Sequence, residues 1–144
     1  MIYHFKIHKE HKGYWAECIE IDGCSTQGDS VEELLINAAE ALNLLLDEPE
    51  NSQAIFPLPN AKQKNNSNIF EVEVDPSVAF AFLMRRTRLL MGLTQNEMKE
   101  VLQFKTLFSY QKLERSKYAN PTLKSLKRIK DSLPEFPIHQ ILGR

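Results

Sequence analysis

The stretch MGLTQNEMKEVLQFKTLFSYQKLERSKYANPTLKSLKRI, Met91 to Ile129, decides how this chain is read. Thr94-Gln95-Asn96-Glu97 has the T-x-x-E form in which a Thr side chain and a Glu side chain satisfy each other's free backbone N–H groups, so a helix is predicted to start at Gln95. Met98, Val101 and Leu102 follow at helical spacing and form its expected buried side. The break Gln103-Phe104-Lys105 ends it, Thr106 can cap a second helix carrying Tyr110 and Leu113, and Asn120-Pro121-Thr122 opens a third with Leu123, Leu126 and Ile129 on one face. Two short capped helices across a tight turn, with a third behind them, read as a helix-turn-helix. In such a unit the second helix enters the major groove of DNA. The same pattern also fits a plain three-helix bundle.

Charge supports the first reading. The whole chain has a net charge of −1. Residues 1–75 hold 5 Lys/Arg against 14 Asp/Glu, a net of −9, and residues 76–144 hold 13 against 5, a net of +8. A basic half suits phosphate and an acidic half suits a basic partner, unless the two neutralise each other in an oligomer. At 144 residues the chain is one medium domain or two small ones, and we expect two, 1–75 and 76–144, hinged at Asp75-Pro76. No apolar run reaches about 18 residues, which argues against a membrane span. No secretory leader is evident, and Cys18 and Cys24 are too few for a disulfide scaffold. A cytoplasmic location with reduced thiols is expected.

The acidic half has the pattern of a small α+β domain. Tyr3, Phe5 and Ile7 alternate with polar neighbours, Tyr14, Ala16 and Cys18 do the same after the turn Lys9–Gly13, and Cys24–Gly28 makes a short third strand. Ser30-Val31-Glu32-Glu33 is a second capping box. The helix it opens is predicted over Val31–Glu48, with Val31, Leu34, Leu35, Ala38, Leu42 and Leu45 as its apolar stripe against the meander. Residues 50–68 are a polar loop. Phe70, Val72 and Val74 mark a fourth strand expected to rejoin the sheet, and a helix Val78–Met91 stops at Gly92.

Two resemblances cover nearly the whole chain. Gly13 to Leu42, GYWAECIEIDGCSTQGDSVEELLINAAEAL, resembles the HicB antitoxin family, whose members show G-C-x-T-x-G-D-[TS]-x-E-E-A followed by N-A-x-E-A-L. It departs at Ala16 and at Ile19–Asp22, where the family often has prolines that stiffen the turn. L-T-Q-x-E with N-P-T-L-x-x-L-x-x-I resembles the Cro/C1 (XRE-type) repressor family. The resemblance implies a partial RNase H-like domain that binds and masks a HicA-like ribonuclease toxin. It also implies a C-terminal all-α helix-turn-helix domain that binds the operator of its own operon as double-stranded DNA, in a homodimer or higher oligomer. A regulator whose N-terminal domain senses a ligand or only oligomerises is the alternative.

The residues allow specific assignments. Trp15, Glu17, Glu20 and Asp22 are the expected partner-binding set, since Trp15 and Glu17 should face away from the sheet core. Trp15 packing beneath the 50–68 loop is equally compatible. For DNA, Gln95 occupies the helix start where repressor-like proteins hold a phosphate, and Thr106, Leu107, Phe108, Ser109 and Lys112 match the recognition surface. Lys105, Lys112, Lys117 and Tyr118 are the expected phosphate contacts. Leu107 and Phe108 stand where polar base readers are common, so they contact thymine methyls or belong to the core. The turn is one residue longer than usual, with Gln103 near the usual Gly. Phe136, Ile138, Ile141 and Leu142 either form a dimer contact or close the C-terminal core. Glu17, Glu20, Asp22 and Asp29 cluster where capping explains them. His4, His8, His11 and His139 have no ligand spacing, and Cys18 and Cys24 lack the C-x-x-C form. We therefore expect no catalytic site, no metal and no cofactor.

Overall fold

The computed structural model describes residues 1–49 and 51–143. It is α+β, with a four-stranded antiparallel sheet and five α-helices. The chain divides into two compact units. The first holds Met1–Leu46 and Phe56–Asp75 with Gly143, and the second holds Asp47–Ile55 and Pro76–Leu142.

In the first unit, β1 (Ile2–Lys9), β2 (Tyr14–Cys18), β3 (Ser25–Gly28) and β4 (Ile69–Glu73) line up in the order β3-β2-β1-β4. The fourth strand does rejoin the sheet, beside β1. Register opposes Phe5 to Cys18 and Phe70, Ile7 to Ala16, and Tyr3 to Val72. Tyr3, Phe5, Ala16, Cys18 and Val72 on that face are buried, and the Phe5 and Phe70 rings stack 5.7 Å apart. Helix α1 (Val31–Leu46) packs on β2, β3 and β4 and supplies Leu34, Ala38, Leu42 and Leu46.

The α1 stripe departs from expectation. It recurs every fourth residue and ends on Leu46 instead of Leu45, while Val31 and Leu35 are exposed. A strict four-residue row is narrower than the stripe read from sequence and drifts around the helix, so the flanking apolar positions turn to solvent. Ser30 caps α1 by accepting from Glu33 N at 3.1 Å, but Glu33 reaches back to Asp29 N at 3.0 Å, one residue short of the reciprocal box. A Cβ on Gly28 would lie 2.8 Å from Leu34 N, so only glycine lets the sheet pass this close to the helix backbone. The Ile19–Gly23 turn, lacking stiffening prolines, is anchored by buried Ile21 and by Ile19 N donating to His4 O at 2.8 Å.

In the second unit, α2 (Pro76–Leu90) begins two residues earlier than expected, because proline at a first helical position loses no hydrogen bond. Val78 through Arg85 are all buried along it. Gly92, at φ 69°, ends the helix in the left-handed conformation. Then come α3 (Gln95–Val101), α4 (Leu107–Gln111), a 3-10 turn Lys112–Glu114, α5 (Leu123–Ser132) and a second 3-10 turn Ile138–Leu142.

The Thr94 and Thr106 caps fall where expected, and the third helix opens where expected with Thr122 as its cap. Thr94 and Glu97 form the reciprocal box at 3.1 and 3.0 Å, Thr106 accepts from Ser109 N at 3.1 Å, and Thr122 accepts from Ser125 N at 3.1 Å. Ile129 is buried, but Leu123 is 84% exposed and does not share the apolar face. Phe136 is buried and meets Phe80 edge-on at 6.0 Å, so it closes the core. Leu142 is 85% exposed.

Candidate functional site

Two surfaces carry the candidate residues, one on each unit. On the first, β-strand alternation sends one set of side chains to α1 and the other to the opposite face. The register places His8 across from Trp15 and Lys6 across from Glu17 on β2, with Glu71 and Glu73 of β4 opposite His4 and Ile2. Among the described residues α1 is the helix of this unit, and its buried Leu34, Ala38 and Leu42 lie with the first face, while His4 on the second is buried against Glu20, which also holds Asn60 of the long loop.

Trp15 is half-buried there and stacks on His8, with ring centroids 4.0 Å apart and planes 13° from parallel. Glu17 has a side chain 48% exposed, with one oxygen 3.5 Å from His8 Nε2. Asp22 is exposed at the following turn. A groove of about 660 Å³ brings Glu17, Asp22 and Lys6 together, with Gln63, Asn66 and Asn68 of the long loop among its lining.

Glu20 occupies a different place from the other three. Its side chain is buried, accepting from His4 N at 2.9 Å, from His4 Nδ1 at 2.8 Å and from Asn60 N at 3.0 Å. A carboxylate only accepts, so His4 Nδ1 carries the hydrogen. Glu20 thus ties β1 to the loop that forms the far wall of the groove. Tyr3 anchors the same loop by donating to Pro57 O at 2.8 Å.

The second surface is built on α3 and α4. Lys105 and Thr106 are exposed at the start of α4, and Phe108 is 56% exposed on it. Lys112 lies one turn later with its ammonium 5.1 Å from the Phe108 ring centroid, a cation–π distance. Leu107 is half-buried, and Ser109 bonds Thr106 through its hydroxyl at 2.8 Å. Lys117 and Tyr118 are both exposed in the turn beyond, the ammonium 5.6 Å from the ring. Gln95 accepts from Gln111 Nε2 at 3.0 Å, which links the start of α3 to the end of α4.

Beneath this surface lies a buried ion pair that the sequence reading missed. Arg88 of α2 donates to Glu114 through Nε at 2.7 Å and Nη2 at 3.0 Å, and its Nη1 reaches Leu93 O at 3.0 Å. The Tyr110 hydroxyl also donates to Glu114, and Gln95 Nε2 approaches it at 3.4 Å. Burial works hardest against the Arg88 charge, but the bond to Glu114, the charge of that carboxylate and Tyr110 together outweigh it and raise the pKa. Burial and the Glu114 carboxylate push the Tyr110 phenol well above its ordinary range, so it stays a donor. The only sequence hint was an Arg late in one helix and a Glu 26 residues on, a pairing that local patterns do not reveal.

Cys18 and Cys24 are both buried, as expected of small apolar side chains. The Cys24 thiol and burial together push the Cys18 thiol far up. Among the described residues no group of three His, Cys, Asp or Glu side chains could hold a metal ion. No described helix is long and apolar enough to cross a membrane.

A UPF0150 protein of Helicobacter pylori (strain J99) is 35% identical to this chain over 74 residues, which is 51% of this chain and 96% of that protein. The chain belongs to the UPF0150 family. No family model matches it. The similarity covers almost the whole of the Helicobacter protein and half of this one, so this chain carries about as much sequence again outside the shared segment.

Proposed function

We propose that the protein is a HicB-type antitoxin that also represses its own operon. The observation that carries this is membership of UPF0150, a HicB-like family name, in a chain that holds the G-C-S-T-Q-G-D-S run from Gly23 to Ser30. In this reading the first unit is a partial RNase H-like domain without enzymatic activity. It binds a basic, HicA-like ribonuclease and covers the surface that would hold RNA.

The second unit is a helix-turn-helix of the Cro/C1 type, with α3 across the DNA backbone and α4 in the major groove. Lys105, Lys112 and Lys117 neutralise phosphates, Tyr118 adds a backbone contact, and Phe108 with Leu107 meets thymine methyls. Gln95 braces α4 as well as facing a phosphate. Two copies bind a palindrome, and the protein works in the cytoplasm.

The test has two arms. The neighbouring reading frame, if it encodes a short basic protein, is co-expressed and assayed for RNA cleavage with and without this chain. Its upstream DNA is used in a gel shift. The reading expects suppressed cleavage and a salt-sensitive shift that Lys112→Glu weakens at least about tenfold, the effect of turning a phosphate contact into repulsion. A shift without any effect on cleavage would leave a transcription regulator in place of an antitoxin. Neither effect would end the proposal.

A further inference from the structure

We infer that the sheet face opposite α1, centred on the groove between Glu17 and Asp22 and on the Trp15–His8 stack, is the docking surface for a basic protein that engages it through arginine side chains. This rests on the antitoxin reading and narrows it to a face, a groove and a side-chain chemistry.

The face has the character of an interface. It presents the carboxylates of Glu17, Asp22 and Glu73, with Lys6 as the ammonium among them, while Glu71 is half-buried and accepts from Asn65 Nδ2 at 2.8 Å. Residues 1–75 have a net charge of −9, so the field steers a cationic partner toward this unit and repels nucleic acid. Glu17 keeps about half its side chain in solvent, and Asp22 makes no hydrogen bond or ion pair among the described residues. Both acceptors are therefore open to a bidentate guanidinium, which matches two carboxylate oxygens better than an ammonium does.

Beside them the indole of Trp15, held flat by His8 at 4.0 Å, offers the aromatic platform on which a guanidinium stacks. The stack lies outside the groove lining, two residues along β2 from Glu17, and a fixed aromatic side chain of this kind is a common source of binding energy. The opposite wall, Gln63, Asn66 and Asn68, supplies amide groups that can bond a partner's backbone. Glu20 shapes this wall from below and is a positioning residue rather than a contact.

The outer side of α1 is the alternative surface on this unit. It exposes Ile36 and Leu44 with Glu40 between them.

The experiment measures affinity of the full chain for the protein encoded by the neighbouring reading frame, by titration calorimetry. Glu17→Arg and Asp22→Arg, both at exposed positions, are each expected to weaken binding at least about tenfold, and Trp15→Ala likewise. Glu40→Arg makes the same charge change on α1 and is expected to stay within about twofold. Circular dichroism melting checks that each variant folds, and the two surface arginine variants carry the test should Trp15→Ala unfold. Equal binding by Glu17→Arg, Asp22→Arg and wild type would overturn the inference and leave the antitoxin reading standing. An equal loss in Glu40→Arg would overturn it too, since net charge alone would then explain the effect. No binding by wild type would remove both.

Discussion

Glu20 in the first unit and Glu114 in the second are sealed to a similar degree, with side chains 5% and 2% exposed. Their partners differ. Glu20 is satisfied by two backbone N–H groups and an imidazole, and it holds a loop. Glu114 is satisfied by a guanidinium and a phenol, and it holds a helix pair. Two of the Glu20 donors are backbone amides, which carry no charge to strand when the carboxylate is removed. Removing a carboxylate paired with a buried arginine does strand one. The same residue type is therefore a local staple in one unit and a keystone in the other, and each supports the surface we assign to function.

The comparison breaks first at Glu114. Glu114→Ala should destabilise the second unit by about 3–5 kcal/mol, because Arg88 is left buried and unpaired. Calorimetry should show that loss in one transition only. Replacing both Arg88 and Glu114 with Met should restore most of it. A single mutant as stable as wild type would mean that the pair is solvated in solution.

Glu20→Ala should cost less, about 1–3 kcal/mol in the first unit, the range for buried backbone donors left unsatisfied. It should also speed amide exchange at Asn60 and His4, which lose their acceptor. Unchanged protection at Asn60 would show that the loop is held elsewhere.

Gln103 sharpens the contrast between long-range and local effects. Its φ of 58° is left-handed, in the turn between α3 and α4. Gln103→Gly should stabilise the second unit by about 1 kcal/mol, the cost a side chain incurs there. A destabilised variant would mean that the Gln103 side chain makes a compensating contact.

The smallest effect is a pH dependence. The bonds from Thr94 hold the Glu97 carboxyl below the usual carboxylate range. A depressed carboxyl contributes stability that is full above its unfolded pKa and lost as pH falls through the folded one. The penalty of Glu97→Gln should therefore be present at neutral pH and shrink toward zero in acid. A penalty independent of pH would assign the stabilisation to helix propensity.

Much of this was legible because it is local. The Thr94 and Thr106 caps, the strand alternation and the turn glycines each depend on residues close to one another in the chain, and they fell where the pattern placed them. The outward side of Trp15 and Glu17 followed from the parity of β2. What could not be read depends on contacts distant in sequence. Glu20 looked like one more surface acid until His4 and Asn60 closed on it, from 16 residues before and 40 residues after. Leu123 looked like a core residue because its spacing to Leu126 and Ile129 is helical, but spacing does not say where a helix leaves its neighbours.

The most direct test of the division between the units is a crossed binding measurement, in which Glu17→Arg and Lys112→Glu are each titrated with upstream DNA and with the basic neighbour protein. The account predicts that Glu17→Arg keeps DNA affinity and loses the protein, while Lys112→Glu keeps the protein and loses DNA. If either variant lost both ligands, or neither variant lost any, the two surfaces would not be separate and the account would be contradicted.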